Sequence, residues 1–177
     1  MPLKNTQNPL LQAIKSAIND ILVADNQSIS DFVMTDSLRH DILKILMAFS
    51  PDIPHPASGL VKTDSSINEN TAKATLTNAA SANLKTLIRW QILAYVASID
   101  LTLVKWFESH LDSLSILNEV GYKIDSDKSG QALWAVWASE GHPSPIRYEQ
   151  EQGETSTVSG TKAWCSGANI VDYGLMT

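Results

Sequence analysis

The chain holds one cysteine, Cys165, and four histidines, His40, His55, His110 and His142. A catalytic thiol needs a base within hydrogen-bond reach and surroundings that favour the thiolate. His142 or His110 could act as that base, yet no spacing sets either beside Cys165, and a lone strand cysteine ordinarily serves as a small hydrophobe. The histidines form no pair at metal-ligand spacing and no HExxH, so no metal site is expected, and structural or surface roles account for each. Asp36, Asp41 and the group Glu149, Glu151 and Glu154 read as solvated charges. Neither a GxGxxG nor a P-loop occurs, which removes the Rossmann and Walker nucleotide sites. No residue is singled out as catalytic.

The five tryptophans say more. Trp90 and Trp106 fall in helical patterns and are most simply core. Trp134 and Trp137 lie in an extended pattern at an odd spacing, so they face opposite sides of a sheet. One should meet the helices or a ligand; the other needs cover. Trp164 and Ser166, two apart on a predicted strand, share a face. An indole can lie against a flat conjugated ring, and a hydroxyl beside it can hydrogen-bond a ring heteroatom. The plainer alternative is a tryptophan packed on the helices with Ser166 capping a turn.

These side chains must be positioned by the elements around them. Asn8-Pro9 is a helix start, and Leu10, Leu11, Ile14, Ile18, Ile21 and Leu22 follow at helical spacing until Asp25-Asn26. A second helix begins near Thr35 or Asp36, buries Leu38, Ile42, Ile45, Leu46 and Phe49, and stops at Pro51. Residues 51–70, rich in Pro, Ser, Asp and Asn, read as a long surface loop. Thr71 to Val120 is helical, with Leu84, Leu87, Ile88, Ile92, Val96 and Leu103 in one rhythm. It is too long to run unbroken; Ser98–Leu101 is the first candidate break and Asn78–Asn83 the second, with Gly121 as the final cap. Strands are predicted over Gln131–Ser139, Ile146–Glu149, Thr155–Val158 and Thr161–Cys165, the last two joined in a hairpin at Ser159-Gly160. Helices first and strands afterwards give an α+β fold, an all-α domain over 1–121 followed by a partial antiparallel β domain over 122–177.

Composition narrows the function classes. A 44% hydrophobic and 18% charged chain is globular rather than disordered. A net charge of −6 with no Lys/Arg cluster argues against a nucleic-acid partner. The single cysteine excludes a disulfide framework within one chain and fits a reducing compartment; with no secretory pattern at the N-terminus, a cytoplasmic location is expected. The most apolar stretch, Leu84 to Phe107, carries Lys85, Arg89, Asp100 and Lys105 and is not expected to span a membrane.

The run Ser159-Gly160-Thr161-Lys162-Ala163-Trp164-Cys165-Ser166-Gly167-Ala168, with Asp172 and then Tyr173-Gly174-Leu175-Met176-Thr177, resembles the middle domain of the acyl-CoA dehydrogenase family. There a G-x-K-x-[WF] hairpin ending in a hydroxyl residue precedes an aspartate and a strand. Val136-Trp137-Ala138-Ser139-Glu140 is similar to the family's first β-domain strand, which ends in Thr-Glu-Pro. The helix carrying Trp106 to Leu114 is similar to one in a divergent bacterial branch. The likeness spans about Leu103 to Thr177, and the helical N-terminus agrees in architecture alone. Gly141 stands where the family has proline, and Gly141 to Ile146 replaces its Ala-Gly-Ser-Asp loop.

The resemblance implies an FAD-dependent oxidoreductase acting on the CH–CH group of acyl-CoA thioesters, in fatty acid metabolism. It implies flavin contacts from Ala138 and Ser139 on the pyrimidine side, from Trp164 beside the ring and from the Ser166 hydroxyl near N5. Its implied partners are an acyl-CoA substrate, a homo-oligomer or complementing C-terminal chain, and an electron-accepting flavoprotein. In the family the catalytic carboxylate comes from a C-terminal bundle that has no counterpart in these residues, so no residue is matched to the base. The chain is therefore expected to be an N-terminal fragment, inactive alone. A non-catalytic truncated paralogue, or a helical interaction module needing a partner, is the alternative. A half sheet would expose a strand edge and invite association.

Overall fold

The computed structural model describes residues 8–24, 33–55, 69–124, 132–150 and 156–177, with side chains from residue 83 onward in the third segment. It is a mixed helix-and-strand structure in which helices precede strands. The chain divides into two compact units, Met1–Phe107 and Glu108–Thr177. The division falls inside a helix, whereas the sequence marks the helix end at Gly121.

The first unit is built on helices with legible starts. In α1 (Pro9–Ala24) the Asn8 carboxamide oxygen accepts the amides of Leu10 and Leu11 at 3.1 and 3.3 Å. The helix buries Ile14 and Ile18 completely. In α2 (Asp36–Phe49) the Thr35 hydroxyl caps the Leu38 amide, and Leu38, Ile42, Leu43 and Leu46 are buried. Pro51 then lies in a 3₁₀ turn, Ser50–Asp52, and Ile53 beyond it is buried. Most of the expected loop, residues 56–68, lies outside the described residues, as do residues 25–32, 125–131 and 151–155.

The expected break in the long helical run occurs at Asp100, between α3 (Glu69–Ile99) and α4 (Leu101–Glu119), while 78–83 stays helical. Asp100 caps α4 by accepting the Leu103 amide at 2.7 Å, and its carboxylate takes two hydrogen bonds from Arg39, at 3.1 and 3.0 Å. Burial alone would raise the Asp100 carboxyl, but the Arg39 hydrogen bond, the Leu103 and Thr102 amides and the Arg39 charge together hold it below its ordinary value. Trp106 tilts against His40 with ring centroids 6.0 Å apart. Trp90 departs from expectation: it is 65% exposed, with Leu84 and Leu87 also exposed, because α3 turns Arg89, Ile92 and Val96 inward instead. Apolar residues surround this helix on more than one side, so its stripe could not be read unambiguously.

The second unit opens with the last turns of α4, closed by a Schellman cap. Gly121, at φ 73°, sends its amide to the Asn118 carbonyl, and the Tyr122 amide reaches the Leu117 carbonyl. Four short strands follow: β1 (Trp134–Trp137), β2 (Arg147–Gln150), β3 (Ser156–Ser159) and β4 (Tyr173–Met176). The sheet is not the uniformly antiparallel one expected. β2 and β3 pair antiparallel, but β1 pairs with β4 in parallel, with Trp134 opposite Tyr173 and Trp137 opposite Met176. The connection between β1 and β4 is long enough for the crossover a parallel pair requires.

Asp172 sets that pairing: its carboxylate accepts the Leu133 amide at 2.8 Å, and its own amide returns to the Leu133 carbonyl at 2.9 Å. Trp134 stacks on Tyr173, with ring centroids 4.6 Å apart, and is buried with Leu117 and Ala132 against Leu114, Ile124 and Leu175. Trp137, on the other face, runs over Gly174, where a Cβ would fall 2.5 Å from its ring, and donates its indole N–H to the Ser166 carbonyl. The two tryptophans do take opposite sides, one in the core and one under local cover.

The far edge of β1 is closed by α4. The Ser109 hydroxyl accepts the Val136 amide at 2.9 Å and donates to the Val136 carbonyl at 3.3 Å. His110 Nδ1 accepts the Trp134 amide at 3.2 Å. Side chains of a helix thus satisfy the backbone groups that a neighbouring strand would otherwise take.

Candidate functional site

The predicted hairpin at Ser159-Gly160 is absent. Ser159 ends β3, whose partner is β2, and Thr161–Cys165 forms no strand. Gly160 explains the change. It sits at φ 118° hard against the Pro145 carbonyl, and the next amide, that of Thr161, bonds the Ser144 carbonyl at 2.8 Å. The chain is carried past β2 rather than folded back on β3. Trp164 then adopts φ 55°, a left-handed backbone that a strand cannot contain. Trp164 and Ser166 consequently do not share a strand face, and the spacing that suggested they did has lost its premise. From Cys165 to Ile170 the backbone turns, with Gly167 at φ 75° and the Ala168 amide on the Cys165 carbonyl.

The segment 162–166 meets the residues that leave β1. Lys162 makes the junction. Its ammonium lies 2.6 Å from Glu140 Oε1, 2.8 Å from the Thr177 main-chain oxygen and 3.2 Å from Thr177 Oγ1. That hydroxyl is also 3.1 Å from both the Ala138 carbonyl and Glu140 Oε1. Lys162's side chain is 5% exposed, so its three protons are used on three protein acceptors. Hydrogen bonds from Lys162, then from Thr177, hold the Glu140 carboxyl below its ordinary value, against a smaller opposing effect of burial.

Two residues on, the Trp164 ring lies across Gly141, where a Cβ would come 2.5 Å from its ring carbon. The indole remains 69% exposed. Gly141 is thus the position that lets the ring come down on the backbone. Ala138 and Ser139 are exposed on the strand exit, and Ser166 is exposed on the facing segment, its carbonyl held by Trp137. The four expected flavin contacts therefore sit on two adjoining segments, although the local geometry differs from the one that suggested them.

The residues that tie those segments together, Lys162, Glu140 and Thr177, were not assigned a role from sequence. Lys162 and Glu140 are 22 positions apart, and no local pattern links them. The available signal was a lysine amid small and aromatic residues, which must find a partner if buried. The Cys165 thiol, half-buried, lies 3.4 Å from the Lys162 carbonyl, and His142 engages Ser144. His110 is 4% exposed, and burial pushes it down to about 4, so near neutrality it is an uncharged acceptor in the β1 edge.

A flavin ring requires a flat apolar face and polar groups at its rim. Trp164 offers such a face, seated on Gly141, and Ser139 and Ser166 are exposed residues on the segments beside it. These residues fit one wall of a planar heterocycle site. Among the described residues no group of three or more His, Cys, Asp or Glu could hold a metal ion, and no helix is long and apolar enough to cross a membrane. Compared with known protein families, curated proteins and solved structures, the chain matches none.

Proposed function

We propose that this chain carries one wall of an FAD site in an acyl-CoA dehydrogenase-like oxidoreductase. The observation that carries the reading is the seating of the exposed Trp164 indole on Gly141, beside the Ala138–Ser139 strand exit. When bound, FAD supplies the electron-accepting centre for oxidation between the α and β carbons of an acyl thioester. The residues here bind and orient it: Trp164 through its ring face, Ser166 and Ser139 through their hydroxyls, and Ala138 through its backbone. Acyl-CoA as the substrate, fatty acid metabolism as the setting and a cytoplasmic location belong to the same reading. So do a second copy or complementing chain and an electron-accepting flavoprotein as partners. No residue of this chain is assigned as the base.

Titration with FAD tests the reading. Protein emission should be quenched on binding in the parent chain and much less so in Trp164→Ala. A colourless protein that takes up no added FAD would remove the flavoprotein reading for this chain.

One observation favours a second reading, a non-catalytic module that needs a partner chain. An open, mostly apolar groove of about 580 Å³ is lined by Ile116, Val136, Ile146, Tyr148, Val158 and Leu175 within the second unit. Loss of sedimentation homogeneity without any FAD uptake would favour this reading over the first.

A further inference from the structure

We infer that Lys162 is the positioning residue of the Trp164 wall: its buried ammonium, through Glu140 and Thr177, locks the strand exit 138–141 against the segment 162–166. The inference rests on the flavin reading only for its ligand-binding consequence; the lock itself is a property of the folded chain.

Three features separate this contact from an ordinary surface ion pair. The first is burial. The lysine side chain is 5% exposed while its carboxylate partner is 58% exposed, so the cation and not the anion has given up its water. A desolvated ammonium is tolerated only when its protons are taken by protein acceptors, and here Glu140 Oε1, the Thr177 main-chain oxygen and Thr177 Oγ1 take them. The second is convergence. These acceptors come from the residue after Ser139 and from the residue after β4, and the Thr177 hydroxyl reaches on to the Ala138 carbonyl. One ammonium therefore joins the end of β1, the end of β4 and the turn that carries Trp164.

The third is what the lock leaves adjacent. Gly141 directly follows Glu140, and the Trp164 ring lies on it two residues after Lys162. Drawing Glu140 toward Lys162 therefore sets the floor on which the indole rests. Without the ammonium, residues 138–141 keep the Thr177 hydroxyl contacts but lose their tie to the segment 162–166, and Trp164, which keeps a left-handed backbone and little other cover, loses a fixed seat. A guanidinium is not an equivalent replacement, because its planar fork cannot point three protons at acceptors gathered around one nitrogen.

The test compares Lys162→Met, Lys162→Arg, Glu140→Gln and Thr177→Val with the parent chain, using two readouts. The first is the Trp164 emission, isolated by subtracting a Trp164→Phe version of each protein, with acrylamide as quencher. The second is FAD affinity by flavin fluorescence. Lys162→Met and Lys162→Arg should both raise acrylamide quenching of Trp164 about twofold or more and weaken FAD binding about tenfold. Adding Glu140→Gln to Lys162→Met should change neither further, since the two residues act as one unit. A Lys162→Cys chain in a Cys165→Ala background, alkylated with 2-bromoethylamine before refolding, should regain the parent values, whereas iodoacetamide should not restore them.

Should Lys162→Met fail to fold, Glu140→Gln and Thr177→Val carry the test, because both side chains are exposed in large part. Parent-like quenching in those variants, or in Lys162→Met, overturns the lock. If the parent binds no FAD but the quenching changes appear, the lock stands and the flavin reading falls.

Discussion

Arg39 meets Asp100 through two parallel hydrogen bonds, at 3.1 and 3.0 Å, and the same carboxylate caps α4 through the Leu103 amide at 2.7 Å. One side chain therefore both breaks the long helical run and fastens α2 to the break. Asp100→Ala should cost about 2 kcal/mol in urea unfolding, combining a lost cap with a lost charge-assisted pair. Asp100→Asn keeps an acceptor for Leu103 and should cost less. Equal losses from the two substitutions would mean that the cap contributes nothing. Because the Asp100 carboxyl is held below its ordinary value, its contribution is complete above the unfolded-state carboxylate range and is lost as pH falls through the native one.

His110 gives the second unit its own acid sensitivity. In the folded chain it is pushed down from 6.5 to about 4 by burial, so between those values the unfolded chain binds a proton that the native chain does not. Stability from this group is full above about pH 6.5 and is lost as pH falls toward 4, by about 3 kcal/mol over that window. Protonation also turns Nδ1 from acceptor to donor, against the Trp134 amide. His110→Gln, which retains an acceptor, should flatten the pH profile in this window. A variant with the parent's slope would show that another group titrates there.

Gly160 is where a small substitution should do most harm. At φ 118° and hard against the Pro145 carbonyl, it can accept a Cβ only if backbone moves. Gly160→Ala should destabilise the β2–β3 pairing by about 2 kcal/mol and raise amide exchange at Tyr148 and Val158, with the α1–α2 amides unchanged. Unaltered exchange at those two positions would contradict it.

Trp164→Ala separates binding from folding. The indole is 69% exposed, so its removal should leave the thermal midpoint within about 2 °C while weakening FAD binding about tenfold or more. A large fall in the midpoint would reveal Trp164 as a packing residue instead.

Local features were the legible ones. Asn8, Thr35, Asp100 and Gly121 each mark a helix end by bonding a group within four positions, so spacing alone exposes them. The sheet failed on separation. Nothing near Trp134 announces that Tyr173 lies beside it, or that Ser109 and His110 take its outer edge. The Ser159-Gly160 hairpin failed for a different reason. A serine-glycine pair between two extended patterns is a turn signal, but Gly160 spends its conformational freedom on a close approach to Pro145. The candidate site was legible as four residue types in order, and its assembly through Lys162 was not.

The cover that Ser109 and His110 place over β1 closes one side of this small sheet. Among the described residues, the β1 amides of Trp134 and Val136 are already taken, so a further strand cannot pair with β1 there. An edge whose amides are held by helix side chains gives another strand no register to add to, so β1 is protected from edge-to-edge aggregation at these positions.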